Sequence, residues 1–437
     1  MSSSPRPIDV RDLCVGMYIR LDLGWMAHPF PRSSFCIADA SQIEIIRGLG
    51  VQSVTWFPER STPLAAPGAD ASGARAAPPP PAPPAVPVAD AGDVQARRTL
   101  LREQRQALEE CQAQYDEAAA ILREVNTLLD PQPQHAAQQA HALAAALGDK
   151  MLAEGELCIR LLSVAGSERA VAHALNVTVL SMLLGRTLGL PPDALCELGS
   201  GALLHDIGKL DLPARVHFLE DSFSSAEQKA HRDHVTLGVQ RAQRMQLGGA
   251  ALAVLAQHHE MADGSGYPQR RVLETIHPAA RLVALVNRYD NLCNPGPRGV
   301  PLTPHEAVSV LFTQGHAQGR GKFDAAILGS FIRMMGVYPA GSVVQLSDER
   351  YALVMQVNGT RPLQPLVLVY DPQVPRDEAL LVDLEQEPGL GIRRSLAPTK
   401  LPLAAATYLA PRPRVSYFFD IVDPACAIAE PLMAEAP

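Results

Sequence analysis

Residues 203–213 read LLHDIGKLDLP, an apolar helix end that runs into His205 and Asp206 and then meets a glycine at 208. Neighbouring residues on a helix do not face the same way, so this pair can serve one site only where the axis aims at it or a turn intervenes. Gly208, and later Gly264 and Gly266, are placed for such turns. Working outward, the same region holds His173, His234, the pair His258 and His259, and Asn287. The separations are 205 − 173 = 32, 234 − 206 = 28, 258 − 234 = 24 and 287 − 259 = 28 residues. Each is the length of a helical hairpin, and side chains delivered at that interval from successive helices converge inside a bundle, where metal sites are assembled. A single histidine is more often a surface or satisfied core residue than a ligand. Five groups on one rhythm, four of them carrying imidazole, point instead to a metal centre.

Around these positions, runs such as ALNVTVLSMLLGRTL, ALCELGSGALLH and HEAVSVLF, broken by Gly and Pro, predict a helical bundle over residues 136–338. After Pro339 the stretches SVVQL, YALVMQV and PLVLVY are rich in β-branched residues, predicting a β-rich C-terminal extension over 339–437 that ends in a loose tail. At the other end, MYIRL and VQSVTWF suggest a small α/β or β-rich accessory module over residues 1–60. Residues 61–93 are rich in Ala and Pro, with four prolines in a row from Pro78 to Pro81, and cannot form a core. A connecting helix is expected over 94–135. Leu101, Leu108, Tyr115, Leu122 and Leu129 lie seven apart on it, with Cys111, Ala118 and Val125 between them. That stripe fits either a two-chain coiled coil, giving a homodimer through residues 94–130, or a helix packed on its own domain. The fold class is thus multidomain and mainly α: a helical bundle flanked by two smaller sheet-containing regions.

Bulk properties narrow the function. The 38 basic and 46 acidic residues give a net charge of −8, with no basic block to suggest a nucleic-acid surface. The opening MSSSPRPIDV lacks the basic start and apolar core of a signal peptide, and no stretch approaches 18 uninterrupted apolar residues, so no membrane is expected and the cytoplasm is the expected location. Seven cysteines show no CxxC spacing, which predicts reduced, mostly buried thiols rather than disulfides or structural zinc.

Two motifs carry a resemblance. LLHDIGKLDLP resembles the HD signature, and HHEMADGSGYP, residues 258–268, matches the HHExxDGxGYP signature of HD-GYP phosphodiesterases. The flanking stretches HALNVTVLSMLLGRTLGL, HVTLG, ARLVALVNRYDNL and GKFDAAILGSFI extend it over roughly residues 167–337. The start, IDVRDLCVGMYIRLDLGWMAHPF, resembles an uncharacterised domain often fused to such modules.

The resemblance implies cyclic di-GMP as substrate and linear pGpG, or GMP, as product. It implies one metal on His173, His205 and Asp206, and a second on Asp206, His234, His258 and His259, with Asn287 at a further ligand position. Mixed imidazole and carboxylate donors suit Fe or Mn better than Mg. Asp206 is the expected bridge and, with Lys209, the catalytic pair. Lys209, Gly266, Tyr267, Pro268 and Arg298 are expected to meet substrate, while Glu260, Asp263 and Asp290 support the ligands or the loop. The alternative the resemblance leaves open is a catalytically weak or inactive signalling module that docks diguanylate cyclase (GGDEF) or other proteins through the GYP loop. Two departures matter. Asn287 stands where the family places an aspartate ligand, which weakens one donor and leaves the site more positive by one unit. Arg169 stands four residues before His173 where three-metal relatives carry Glu, which favours two metals and a reaction that stops at pGpG.

Overall fold

The structure is a computed structural model that describes residues 5–24, 27, 28, 30, 32–61, 91–153, 155–162, 169–218, 222–316, 321–358, 363–387 and 389–422, with the backbone alone at 91–97. Residues 62–90 of the expected linker and the expected tail beyond 422 lie outside the described residues. The chain divides into two compact units, Met1–Gln106 and Ala107–Pro437.

In the first unit, β1 (Arg6–Asp9), β2 (Tyr18–Arg20), β3 (Ser34–Cys36) and β4 (Ser53–Trp56) form an antiparallel sheet in the order β1-β4-β2-β3, with α1 (Ala40–Gly48) following β3. MYIRL and VQSVTWF supply β2 and β4. The alternation in these stretches buries Ile19, Leu21 and Val54 with Ile37, Ile43 and Ile46, the last two from α1. Asp39 starts that helix by accepting hydrogen bonds from the backbone N–H of Ser41 and Gln42.

α2 (Ala91–Leu128) carries the division at Gln106. Beyond it, α2 lays Cys111, Tyr115, Ala118, Leu122 and Val125 against its own chain, where all are buried. The Tyr115 ring meets Phe418 edge-on with centroids 6.0 Å apart. The apolar stripe, which fits either a two-chain coiled coil or a helix packed on its own domain, is from Cys111 onward buried within the chain. Periodicity reveals a stripe but not what covers it.

The bundle of the second unit comprises α3 (Pro133–Leu152), α4 (Arg169–Thr187), α5 (Pro192–Leu204), α6 (Ser225–Arg232), α7 (His234–Arg244), α8 (Gly249–Gln257), α9 (Pro278–Cys293), α10 (Pro304–Gly315) and α11 (Ala325–Met335). α5 is its axis, packed on α3, α4 and α8, while α9 packs on α4 and α8. The bundle is not purely helical, as expected for 136–338: ELCIRLL forms β5 (Glu156–Leu162). β5 joins β6 (Val343–Leu346), β7 (Tyr351–Asn358), β8 (Leu366–Val369), β9 (Leu381–Asp383), β10 (Ile392–Leu396) and β11 (Ser416–Val422) in one seven-stranded sheet. It lies between β7 and β11, and its last five residues are all buried on both faces and show no alternation. A short run without alternation cannot be told from a buried helix segment by periodicity. A last short helix, α12 (Leu403–Leu409), precedes β11. Among the described residues no helix is long and apolar enough to cross a membrane. Of the six described cysteines, all free, three are buried, Cys36 and Cys196 half-buried, and Cys14 exposed.

Candidate metal centre

Helix ends position the site. α5 stops at Leu204, with His205 as its C-cap, and Asp206 leaves the helical conformation at φ −103°, ψ 9°. α8 stops at Gln257, and His258 and His259 follow as its cap and first residue beyond. Each adjacent pair therefore sits at a turn, where both side chains can face one point. His234 opens α7, and His173 lies one turn into α4. The turn after Asp206 rests on the first turn of α7: a Cβ on Gly208 would run into the carbonyl oxygen of His234 and the backbone of Gly238. Only glycine permits that approach.

The side chains form two groups that share one carboxylate, His173, His205 and Asp206 in one and Asp206, His234, His258 and His259 in the other. Asp206 Oδ2 lies 3.4 Å from Nε2 of His173 and of His205, while Oδ1 lies 3.4 Å from His234 Nε2 and 3.8 Å from His258 Nε2. The Nε2 atoms approach one another at 3.2 Å (His173 and His205), 3.3 Å (His234 and His258) and 3.1 Å (His234 and His259). Two nitrogens on one ion at a metal–nitrogen distance of about 2.0–2.1 Å stand about 3.0–3.4 Å apart, depending on the angle between them.

Partners on the far side of the rings fix which nitrogen faces inward. His205, His234 and His258 direct Nδ1 at the carbonyl oxygens of Ala202 (2.6 Å), His231 (2.5 Å) and Val254 (3.1 Å), and His173 directs Nδ1 at Asp290 Oδ2 (2.6 Å). A carbonyl can only accept, so in those three rings Nδ1 carries the proton and Nε2 offers its lone pair to the centre. Burial pushes His234 down to about 4 and holds His258 and His259 well below the usual imidazole range. Burial also opposes charge on Asp206, but Lys209 and the surrounding imidazoles outweigh it and hold the carboxyl well below its usual range. For His173, burial is overcome by Asp206 and Asp290, which raise it to about 9. Asp206 Oδ1 is buried without a hydrogen-bond partner. Converging imidazole nitrogens, an ionised carboxylate and one orphaned carboxylate oxygen fit divalent cations.

The remaining expected residues fall in distinct places. Lys209 Nζ lies 2.5 Å from Asp206 Oδ2. Tyr267 stacks on His259 with centroids 4.6 Å apart, and the Arg232 guanidinium lies 5.0 Å from the Tyr267 centroid. Gly266 is pressed on the backbone of residues 259–261, where a Cβ would not fit, and Pro268 is exposed. Glu260 accepts the backbone N–H of Gln269 (2.6 Å) and Arg271 (2.8 Å), and Asp263 accepts that of Ser265 (2.9 Å), so both tie down the loop. Asn287 is buried on α9, its Oδ1 2.6 Å from Asn291 Nδ2. Arg298 is exposed in the segment between α9 and α10. Asn176, which touches Asp290, carries no motif; its only trace in the sequence is an amide inside the apolar run of α4.

The helical bundle gathers His173, the adjacent pair His205 and Asp206, His234, His258 and His259, and residues 125–327 match the HD domain family, while residues 6–140 match a domain of unknown function, DUF3391. Among curated proteins it is 28% identical over 369 residues to cyclic di-GMP phosphodiesterase PA4108 of Pseudomonas aeruginosa, covering 83% of this chain and 84% of that one. It is 23% identical to cyclic di-GMP phosphodiesterase PdeB of Borreliella burgdorferi, over 45% of this chain and 51% of that one. A 3'3'-cGAMP-specific phosphodiesterase of Vibrio cholerae is 29% identical over 29% of this chain and 25% of its own.

Proposed function

We propose that this chain is a metal-dependent phosphodiesterase that opens cyclic di-GMP to linear pGpG. In this reading His173, His205 and Asp206 hold one divalent ion, and Asp206, His234, His258 and His259 hold another, both Fe or Mn. The observation that carries it is the Asp206 carboxylate, whose two oxygens face two separate histidine groups at 3.4 Å. When bound, such ions supply Lewis acidity toward a phosphodiester and acidify water. The chain's own part is to hold the ligand set and to position the substrate. Lys209 supplies a cation beside the shared carboxylate for a phosphate oxygen. Tyr267, laid on His259, gives the site an aromatic wall, and Glu260 and Asp263 keep that wall in place.

Support for the nucleotide comes from relatives named for cyclic di-GMP, PA4108 above all because it spans most of both chains. Support for stopping at pGpG comes from Arg169, which donates from Nη1 to the Pro295 carbonyl oxygen at 2.9 Å and brings no further carboxylate to His173. Elemental analysis and product chromatography test the reading together. The purified protein should carry about two equivalents of Fe or Mn and release pGpG from cyclic di-GMP, and His205→Ala with Asp206→Ala should lose at least one equivalent and the turnover. The metals do not build the hydrophobic core, so helical content should persist in that variant. Faster cleavage of 3'3'-cGAMP than of cyclic di-GMP would reassign the substrate, and unchanged metal in the double variant would refute the ligand assignment.

A further inference from the structure

His173 is held from behind by Asp290, and Asp290 is itself held by side chains from α4 and from the C-cap of α9. Its Oδ2 is 2.6 Å from His173 Nδ1, while its Oδ1 accepts from two amides, Asn176 Nδ2 at 2.7 Å and Asn294 Nδ2 at 2.9 Å. Both amides also reach the chain at the start of the last strand. Asn176 Nδ2 and Asn294 Nδ2 donate to the carbonyl oxygen of Val415, at 3.0 and 2.9 Å. In return Val415 N–H donates to Asn294 Oδ1 and Tyr417 N–H donates to Asn176 Oδ1, both at 2.9 Å. Asn176 and Asp290 are fully buried, and each amide is fixed by donors and acceptors together. The Tyr289 hydroxyl of α9 meets the Tyr417 hydroxyl of β11 at 2.9 Å.

We propose that Asn176 and Asn294 are positioning residues that clamp Asp290 to β11, so that the C-terminal sheet sets how well His173 can bind an ion. An unclamped Asp290 would be free to swing, and His173 would lose the orientation of its Nε2 toward His205 and Asp206. Outer partners of metal-bound histidines are worth about 10- to 100-fold in metal affinity. The clamp reaches only the group that contains His173. His205 and His258 are oriented by carbonyls of their own helices, and His234 by a carbonyl at the end of the preceding helix α6.

The inference rests on the two-ion reading of the centre but not on its substrate, so the test reads metal binding by the full chain and not turnover. Equilibrium dialysis with Mn should show one ion weakened about 10- to 100-fold in Asn176→Ala, and the other within about twofold of wild type. Circular dichroism should be unchanged. In an Asp290→Asn background the same substitution should add little, since the group it holds is already altered. Equal weakening of both ions, or of neither, would overturn the clamp. Should Asn176→Ala fail to fold, Asn294→Ala carries the same expectation, because Asn294 is only half-buried at the C-cap of α9. A wild-type chain that takes up one ion fails the two-ion reading, and the clamp is then decided on that ion, standing if its affinity falls and failing if it does not.

Discussion

Lys209 holds its ammonium 2.5 Å from Oδ2 of Asp206, the oxygen that also faces Nε2 of His173 and His205 at 3.4 Å. The cation and an ion on the His173 side thus face the same acceptor. Lys209→Met should leave metal content equal or higher, because a competing charge is gone. Turnover of the phosphodiester should fall about 10- to 100-fold, the worth of one charge-assisted hydrogen bond of roughly 1.5–3 kcal/mol. Elemental analysis beside steady-state kinetics separates the two effects; a loss of metal that matches the loss of rate would remove Lys209 from substrate contact.

Asn287→Asp changes one charge at nearly constant volume in a buried position. The Oδ1 that meets Asn291 Nδ2 can be retained, so the fold should hold. A carboxylate is the stronger donor to a hard or borderline cation, and retention of metal against a chelator should rise about tenfold. Turnover should stay level or drop as the site loses positive charge. A rise from background would mean that the asparagine had silenced the parent.

Gly208→Ala inserts a methyl group where the turn after Asp206 touches His234 and Gly238. Backbone cannot yield as a side-chain tip can, so the turn must lift away. We expect about 1–3 kcal/mol of destabilisation, together with loss of metal, since Asp206 and His234 are parted. Thermal melts of the metal-free and metal-loaded protein should differ less than in wild type; an unchanged melting point would show that the contact tolerates a Cβ.

Lys150 is buried at the end of α3, where desolvation lowers it to about 8 despite the opposing pull of Glu117 and Asp149. Between pH 8 and about 10.4 the unfolded chain keeps this proton and the folded chain does not. The unfolded state binds more protons there, so stability rises with pH across that window, and below it the penalty for burying the charge is felt in full. Lys150→Met should therefore stabilise the protein at pH 7 by about 1–3 kcal/mol and flatten the rise above pH 8. Urea titrations at pH 7 and pH 9.5 decide it; a less stable variant at pH 7 would mean that contacts of the ammonium outweigh its desolvation.

The histidine and aspartate cluster was legible because its members are spaced by the helical hairpin, a local unit that leaves an arithmetic trace from His173 to His259. What escaped were pairings between distant segments. β5 gives no alternation because both its faces are covered, and its neighbour β11 lies at the far end of the chain. The stripe on α2 showed in the sequence, but the Phe418 that faces Tyr115 has no positional relation to it. Asn176 and Asn294 look like ordinary polar residues until Val415 is set between them.

The pairing of β5 with β11 also orders events during synthesis. Arg160 on β5 and Asp420 on β11 form a buried ion pair across 260 positions of chain, so β5 leaves the ribosome long before the strand that covers its edge. Such distant closure is slow and leaves an apolar edge waiting. Until residues 415–417 arrive, Asp290 lacks the backbone groups that anchor its two amides. The helices can assemble while the chain is still growing, but under the proposed clamp the His173 group would gain its outer anchors only once residues 415–417 have been made, so its ion would be taken up after the helices have packed.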